Sequence, residues 1–339
     1  MTIKSLAAVA AVFGAVAVHG ADLGRYMLPD ADLMFVGVGD ANQKGAYTKA
    51  VESAGLELDG MVKDFAKGFG EGDKKKAENV LEYIDLLTNG VVRTETALSL
   101  RVEPGQDGMP LVNLSAAMSG LKNAGKLLAK FAKDFPETLK LVDGVLMPAD
   151  ESFLKAKAWT EGGILRVAAG KAATEPMKKA VAPNAFASLL AKLSGRPYAG
   201  MRIKDPVGVA KRFVKDDAFA EMTADEQFAE VVKLRGIALD CTESQSEPVI
   251  ELLATLVFDS PDTASKAVEK LIGYKQLGLM ALREAQKGAT LDNDMAAEFK
   301  SALEGVKIAA NGPKATVKFT VNAKDEIARL KKLQAGAAK

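Results

Sequence analysis

Four acidic side chains, Asp240, Glu243, Glu247 and Glu251, crowd one short stretch of this 339-residue chain. Two carboxyls facing each other across a cleft are the acid and base of glycoside hydrolysis. At the end of a hairpin, however, acidic residues ordinarily face water. Cys241 stands beside them and is the only cysteine, so neither a disulfide nor a redox pair nor a thiolate zinc site can be built within the chain. The only histidine is His19, in a segment read below as removed, which excludes Ser-His-Asp, Cys-His and His-metal chemistry. Gly37-Val38-Gly39-Asp40 follows an apolar run but lacks the third glycine of a dinucleotide loop and the Gly-Lys-Ser/Thr ending of a P-loop. Asp292-Asn293-Asp294 lacks the alternating spacing and closing glutamate of a calcium loop. No catalytic residue, cofactor or metal is therefore expected.

The elements that would position such groups begin after a distinctive N-terminus. Lys4 gives a short positive start, Leu6 to Val18 is uncharged, and small residues follow at Gly20 and Ala21. That three-part pattern predicts a secretory signal peptide over residues 1–21, cleaved after Gly20 or Ala21. The run is short of the roughly 20 apolar residues a spanning helix needs. Cleavage also removes Lys4, leaving 44 basic residues of the original 45 against 44 acidic ones, a formal net charge of zero. A neutral chain is poorly suited to nucleic acid, which is held mainly by phosphate neutralisation. The expectation is an exported chain, periplasmic or extracellular, with no transmembrane segment once mature.

Periodicity then gives the element order. Asp32 to Val38 suits a strand, and helical patterns follow at 46–65 and 74–87. A hairpin is expected from strands near 92–102 and 111–118, then a helix from Leu121 to Phe135 and a second hairpin, 153–160 with 164–169. Helical sequence returns near Pro176 and over 184–193. Ser194-Gly195-Arg196-Pro197 is a cluster of breakers. Beyond it come a strand from Tyr198 to Ile203, a helix opened by Asp205-Pro206 and a helix near 225–232. The hairpin LRGIALDCTESQSEPVIELLATLVF, 234–258, follows, then a long helix from Asp262 to Gln286, a helix over 295–303, a hairpin turning at Asn311-Gly312 and a terminal helix. Ala264, Val268, Leu271, Ile272, Leu279 and Leu282 mark the long helix's inward stripe. The fold class expected is α+β: two tandem, similar units, residues 22–195 and 196–339, each a largely antiparallel sheet of about five strands with helices on one face.

One strand breaks the alternation that a one-sided sheet requires. Ile250, Leu252, Ala254, Leu256 and Phe258 fill one face, yet Val249, Leu253 and Val257 place apolar groups on the other. Something should cover that second face, so these three residues are the candidate interaction or ligand surface. Trp159, near a hairpin turn, is the fourth candidate, as an anchor for a sugar or a partner.

The signal pattern, the strand after Leu28-Pro29-Asp30-Ala31-Asp32, and the LRGIALD and PVIELLATLVF strands followed by SPDTASKAVEKL carry a likeness. The mature chain loosely resembles duplicated, secreted α+β proteins of unknown function from planctomycete- and verrucomicrobial-type bacteria. The resemblance implies architecture and transfers no site residue. The functional expectation is an exported, non-catalytic binding or interaction protein of the bacterial cell envelope, with an unknown protein or an apolar ligand as partner. The alternatives are a periplasmic carrier of an apolar ligand and a carboxylate-dependent hydrolase.

Overall fold

A computed structural model describes residues 23–28, 30–38, 45–54, 82–83, 86, 95–104, 110–121, 123–150, 155–173, 198–213, 219–221, 229–244, 246–287, 293–328 and 331. The signal segment and the helical patterns at 55–81 and 176–193 lie outside the described residues. The described elements form an α+β structure whose strands pair antiparallel. They fall into two compact units. The first takes the described residues up to Gly200, together with Thr242–Val249 and the chain from Asn322 onward; the second is Met201–Cys241 with Ile250–Val321. A single cut at 195 therefore misses two pieces that return to the first unit.

The first unit contains strands β1 (Leu33–Val38), β2 (Glu95–Glu103), β3 (Leu111–Met118), β4 (Leu139–Val142), β5 (Val145–Pro148), β6 (Ala156–Glu161) and β7 (Ile164–Ala169), in the order β1-β2-β3-β7-β6-β5-β4. Its described helices include α1 (Ala46–Ser53) and α2 (Ala124–Asp134). The β4–β5 hairpin was not foreseen, although it carries the local signal for one. Asp143 and Gly144 both have positive φ, 50° and 78°, the requirement of a two-residue primed turn that Asp-Gly meets at low cost.

A row of side chains crosses five strands in register: Val36, Ala97, Ala117, Arg166 and Trp159. Its neighbouring row includes Met34, Ser99, Ser115 and Ala168. This is the buried face of β2 and β3, and it is small and polar, with Asn113 beside it. The opposite face, with Val112, Leu114, Ala116 and Met118, is only half-buried. The reason lies in what covers the small face. The segment Leu23–Leu28, which opens with a short 3-10 turn, crosses it, and its backbone needs partners. Ser99 Oγ accepts from Leu28 N at 2.8 Å, and Ser115 Oγ donates to Tyr26 O at 2.5 Å. Serines with small neighbours let that backbone approach; leucines would hold it off.

The greater part of β8 (Tyr198–Lys204), β9 (Leu234–Glu243), β10 (Val249–Phe258) and β12 (Lys314–Asn322), and all of β11 (Lys307–Asn311), belong to the second unit, in the order β8-β9-β10-β12-β11. Its helices are α3 (Pro206–Lys211), α4 (Pro261–Lys287) and α5 (Asn293–Gly305). The start of α4 is firmly fixed. Ser260 Oγ accepts from Thr263 N, Pro261 opens the helix where no N–H is needed, and Asp262 sits in the first turn. Leu234, Phe258, Ala264, Ala267 and Ala315 form the core, flanked by Val207, Ile237, Leu256 and Val268. Leu234 and Ile237 are an odd number of residues apart, so unbroken alternation would put them on opposite faces. Asp259 N bonds Lys233 O, while a Cβ on Gly236 would meet Val257 Cβ at 3.8 Å. Between those pairings β9 advances one residue more than β10, a bulge that turns both side chains inward.

Candidate functional site

The three apolar candidates on β10 can now be placed. Leu256 and Phe258 point to the core with α4, so Val249, Leu253 and Val257 occupy the other face with Glu251 and Thr255. All three are half-buried. Glu251 pairs with Lys318 of β12 at 2.5 Å, and Asp240, on the same face of β9 as Gly236, pairs with Arg202 of β8 at 2.7 Å. Two cross-strand ion pairs thus interrupt the apolar groups, the pattern of an antiparallel face that meets water. Among the described residues, these ion pairs break up the apolar run of that face.

Three of the four carboxylates of the same hairpin have structural partners. Beyond the two ion pairs, Glu243 is buried, 5 % exposed, and caps a helix from outside it. Its Oε1 accepts from Thr48 N at 2.6 Å and its Oε2 from Thr48 Oγ1 at 3.0 Å. Ser244 O accepts from Ala46 N. The hairpin tip thereby satisfies the first turn of α1, whose N–H groups have no partner within the helix and whose dipole favours a negative charge. Only glycine fits at Gly45, because a Cβ there would lie 2.3 Å from the Glu243 side chain. Glu247 N donates to Ser244 Oγ within the turn. The hydrolase reading thus loses two carboxylates to ion pairs and a third to a helix cap.

Trp159 lies opposite Arg166 on the β6–β7 ladder, half-buried, with the guanidinium 5.1 Å from its ring. Tyr26 covers the guanidinium at 3.7 Å, and Glu161 reaches it at 3.3 Å. A guanidinium held between two rings contributes about 1–2 kcal/mol when desolvated. Trp159 is therefore part of the packing that holds the N-terminal segment on the sheet.

A second titratable cluster was invisible in the sequence. Lys130 of α2, 9 % exposed, bonds Glu82 at 2.6 Å and Asp134 at 3.0 Å, and lies over the Tyr83 ring. Tyr83 Oη donates to Asp134 Oδ2 at 2.8 Å. Burial and the Asp134 hydrogen bond push the Tyr83 phenol up to about 12. The Glu82 and Asp134 carboxylates raise Lys130. Both groups are held in the protonated forms that make poor bases and nucleophiles near neutral pH. Their arrangement locks α2; it does not activate a group. Among the described residues no three His, Cys, Asp or Glu side chains gather as metal ligands.

The remaining feature is on α4. Its inward stripe runs as expected through Ala264, Val268, Leu271, Leu279 and Leu282, but Ile272 is turned outward. On the opposite arc Tyr274, Leu277 and Met280 are 53 %, 57 % and 51 % exposed, with Ala281 between them. The signal was available, since these residues recur at spacings of three and four off the core stripe. No helix among the described residues is long and apolar enough to cross a membrane. No protein-family model, curated protein or solved structure matches this chain.

Proposed function

We propose that this chain is an exported, non-catalytic interaction protein of the bacterial cell envelope, and that the outer arc of α4 is its working surface. The observation that carries the reading is the exposure of Tyr274, Leu277 and Met280 on one arc of a well-capped helix. Large apolar groups gathered on one exposed face mark interaction surfaces, whereas single ones do not. The engagement of Asp240, Glu243 and Glu251 in ion pairs and a helix cap supports a role without catalysis. The N-terminal pattern over residues 1–21 supports export. Radical footprinting in intact cells tests the whole reading. Tyr274 and Met280 should be protected in the envelope fraction and modified in the diluted, purified chain, and the N-terminus should begin at Ala21 or Asp22. Equal modification in both samples, or an uncut chain retained in the cytoplasm, would dispose of it.

The same proposal takes the two units as products of a tandem duplication, in keeping with the loose resemblance to duplicated secreted proteins. The supporting observation is topological. With the β4–β5 hairpin set aside, the order β1-β2-β3-β7-β6 recurs as β8-β9-β10-β12-β11. With α5 also set aside, the sequence of strand, helix, hairpin, helix, hairpin recurs, with α1 and α2 matching α3 and α4.

A further inference from the structure

Resting on the reading of α4 as the interaction face, we infer that its occupant is a second copy of this chain. Two α4 helices pack antiparallel about a two-fold axis through Leu277. From Leu271 to Leu282 the only charged side chain is Lys275. Its ammonium is turned away onto the carbonyls of Glu304 and Val306, at 3.0 and 2.7 Å. The exposed arc is therefore apolar for three turns.

The arc also reads alike in both directions from Leu277. Gly273 and Ala281 lie four residues to either side, Tyr274 and Met280 three, and Lys270 and Glu284 seven. An antiparallel pair centred on Leu277 sets Tyr274 against Met280, a favourable sulfur–aromatic contact, and Gly273 against Ala281. It sets Lys270 against Glu284 of the other copy at each end, where opposite charges fix register. A parallel pair would bring like charges together. Lys270 already bonds Glu230 at 2.5 Å, which holds its ammonium at the rim of the arc.

Gly273 supplies an independent sign. Glycine inside a helix costs roughly 0.5–1 kcal/mol relative to alanine, so an interior glycine wants a reason. Gly278 has one within the chain, because a Cβ there would meet Leu303 Cδ1 of α5 at 3.3 Å. A Cβ on Gly273 would meet nothing within 4 Å. Close approach of a second helix gives that glycine its purpose. A single helix pair buries less than the about 1,200 Å² typical of stable complexes, so the dimer is weak and reversible.

Sedimentation of the full chain should show a concentration-dependent dimer. Leu277→Cys should link two chains on mild oxidation, because the residue meets its own copy on the axis. Ser265→Cys, exposed on the same helix but off the arc, should not. Gly273→Ala should raise the thermal stability of the monomer while moving the dimer midpoint to about tenfold higher concentration. A chain that stays monomeric up to about 1 mM overturns the inference, as does a dimer in which Leu277→Cys remains unlinked or Gly273→Ala has no effect on assembly. A monomeric chain whose Tyr274 and Met280 are still protected in the envelope would point to a foreign partner. That outcome ends self-pairing and leaves the interaction reading standing, whereas loss of both ends both.

Discussion

Tyr83 and Lys130 make a pH dependence that belongs to single residues. The phenol ionises near 10.0 when unconstrained and is pushed up to about 12 in the fold by burial and by its bond to Asp134. A group raised on folding stabilises fully below its unfolded value and loses that contribution as pH rises through the folded one. Lys130, also raised, acts in the same direction. Thermal melts should therefore show stability falling between pH 10 and 12, with one tyrosine ionising late by tyrosinate absorbance. Tyr83→Phe should keep the ring contact with Phe131, 4.9 Å between centroids, and remove part of that alkaline loss. An unchanged profile would show that Tyr83 is not the group responsible. At the acid end the signs reverse. Glu103 and Glu230 are lowered by their bonds to Lys171 and Lys270. Their contributions are present above 4.5, the ordinary glutamate value, and fade as pH falls through the lower folded values.

At the scale of elements, the tip of the β9–β10 hairpin and α1 form one unit of action, because Glu243 supplies what the helix start lacks. Glu243→Ala should cost about 1–2 kcal/mol, the range for losing a helix cap or a buried hydrogen bond to a charged group. Amide exchange should quicken over Ala46–Ser53 while β2 and β3 stay protected; unchanged exchange over Ala46–Ser53 would refute the cap. No periodicity could have revealed this contact, since Thr48 and Glu243 are 195 residues apart. What the sequence made legible was local. The caps of α4, the hairpin of β9 and β10 and the turn at Gly312 follow from neighbouring residues. The buried face of β3 was not legible in this way. Val112, Leu114, Ala116 and Met118 form the more apolar row, yet Asn113, Ser115 and Ala117 are the inside row because a crossing backbone needs their hydroxyls and small size. The bulge at Gly236 escaped notice for a related reason, since alternation presumes that paired strands advance in step. Val249 and Leu253 break alternation within their own strand, but the ion pairs beside them depend on β8 and β12.

For the whole molecule, the division into units has a consequence for how they come apart. The first unit draws on three separate lengths of chain, including Thr242–Val249 and everything from Asn322. Within it Ala323 N donates to Pro248 O at 2.8 Å, joining the tail to the hairpin tip. Proteolytic nicking between Ser194 and Pro197 should therefore leave two fragments that travel together on a native gel and separate only in denaturant. Free migration of the C-terminal fragment would contradict the partition. The same threading bears on synthesis. A ribosome delivers the chain in order, and domains ordinarily fold as they emerge. Here the first unit lacks part of itself until Asn322 and Ala323 have been made. The nascent N-terminal half therefore cannot close into its finished structure while the rest of the chain is still being made.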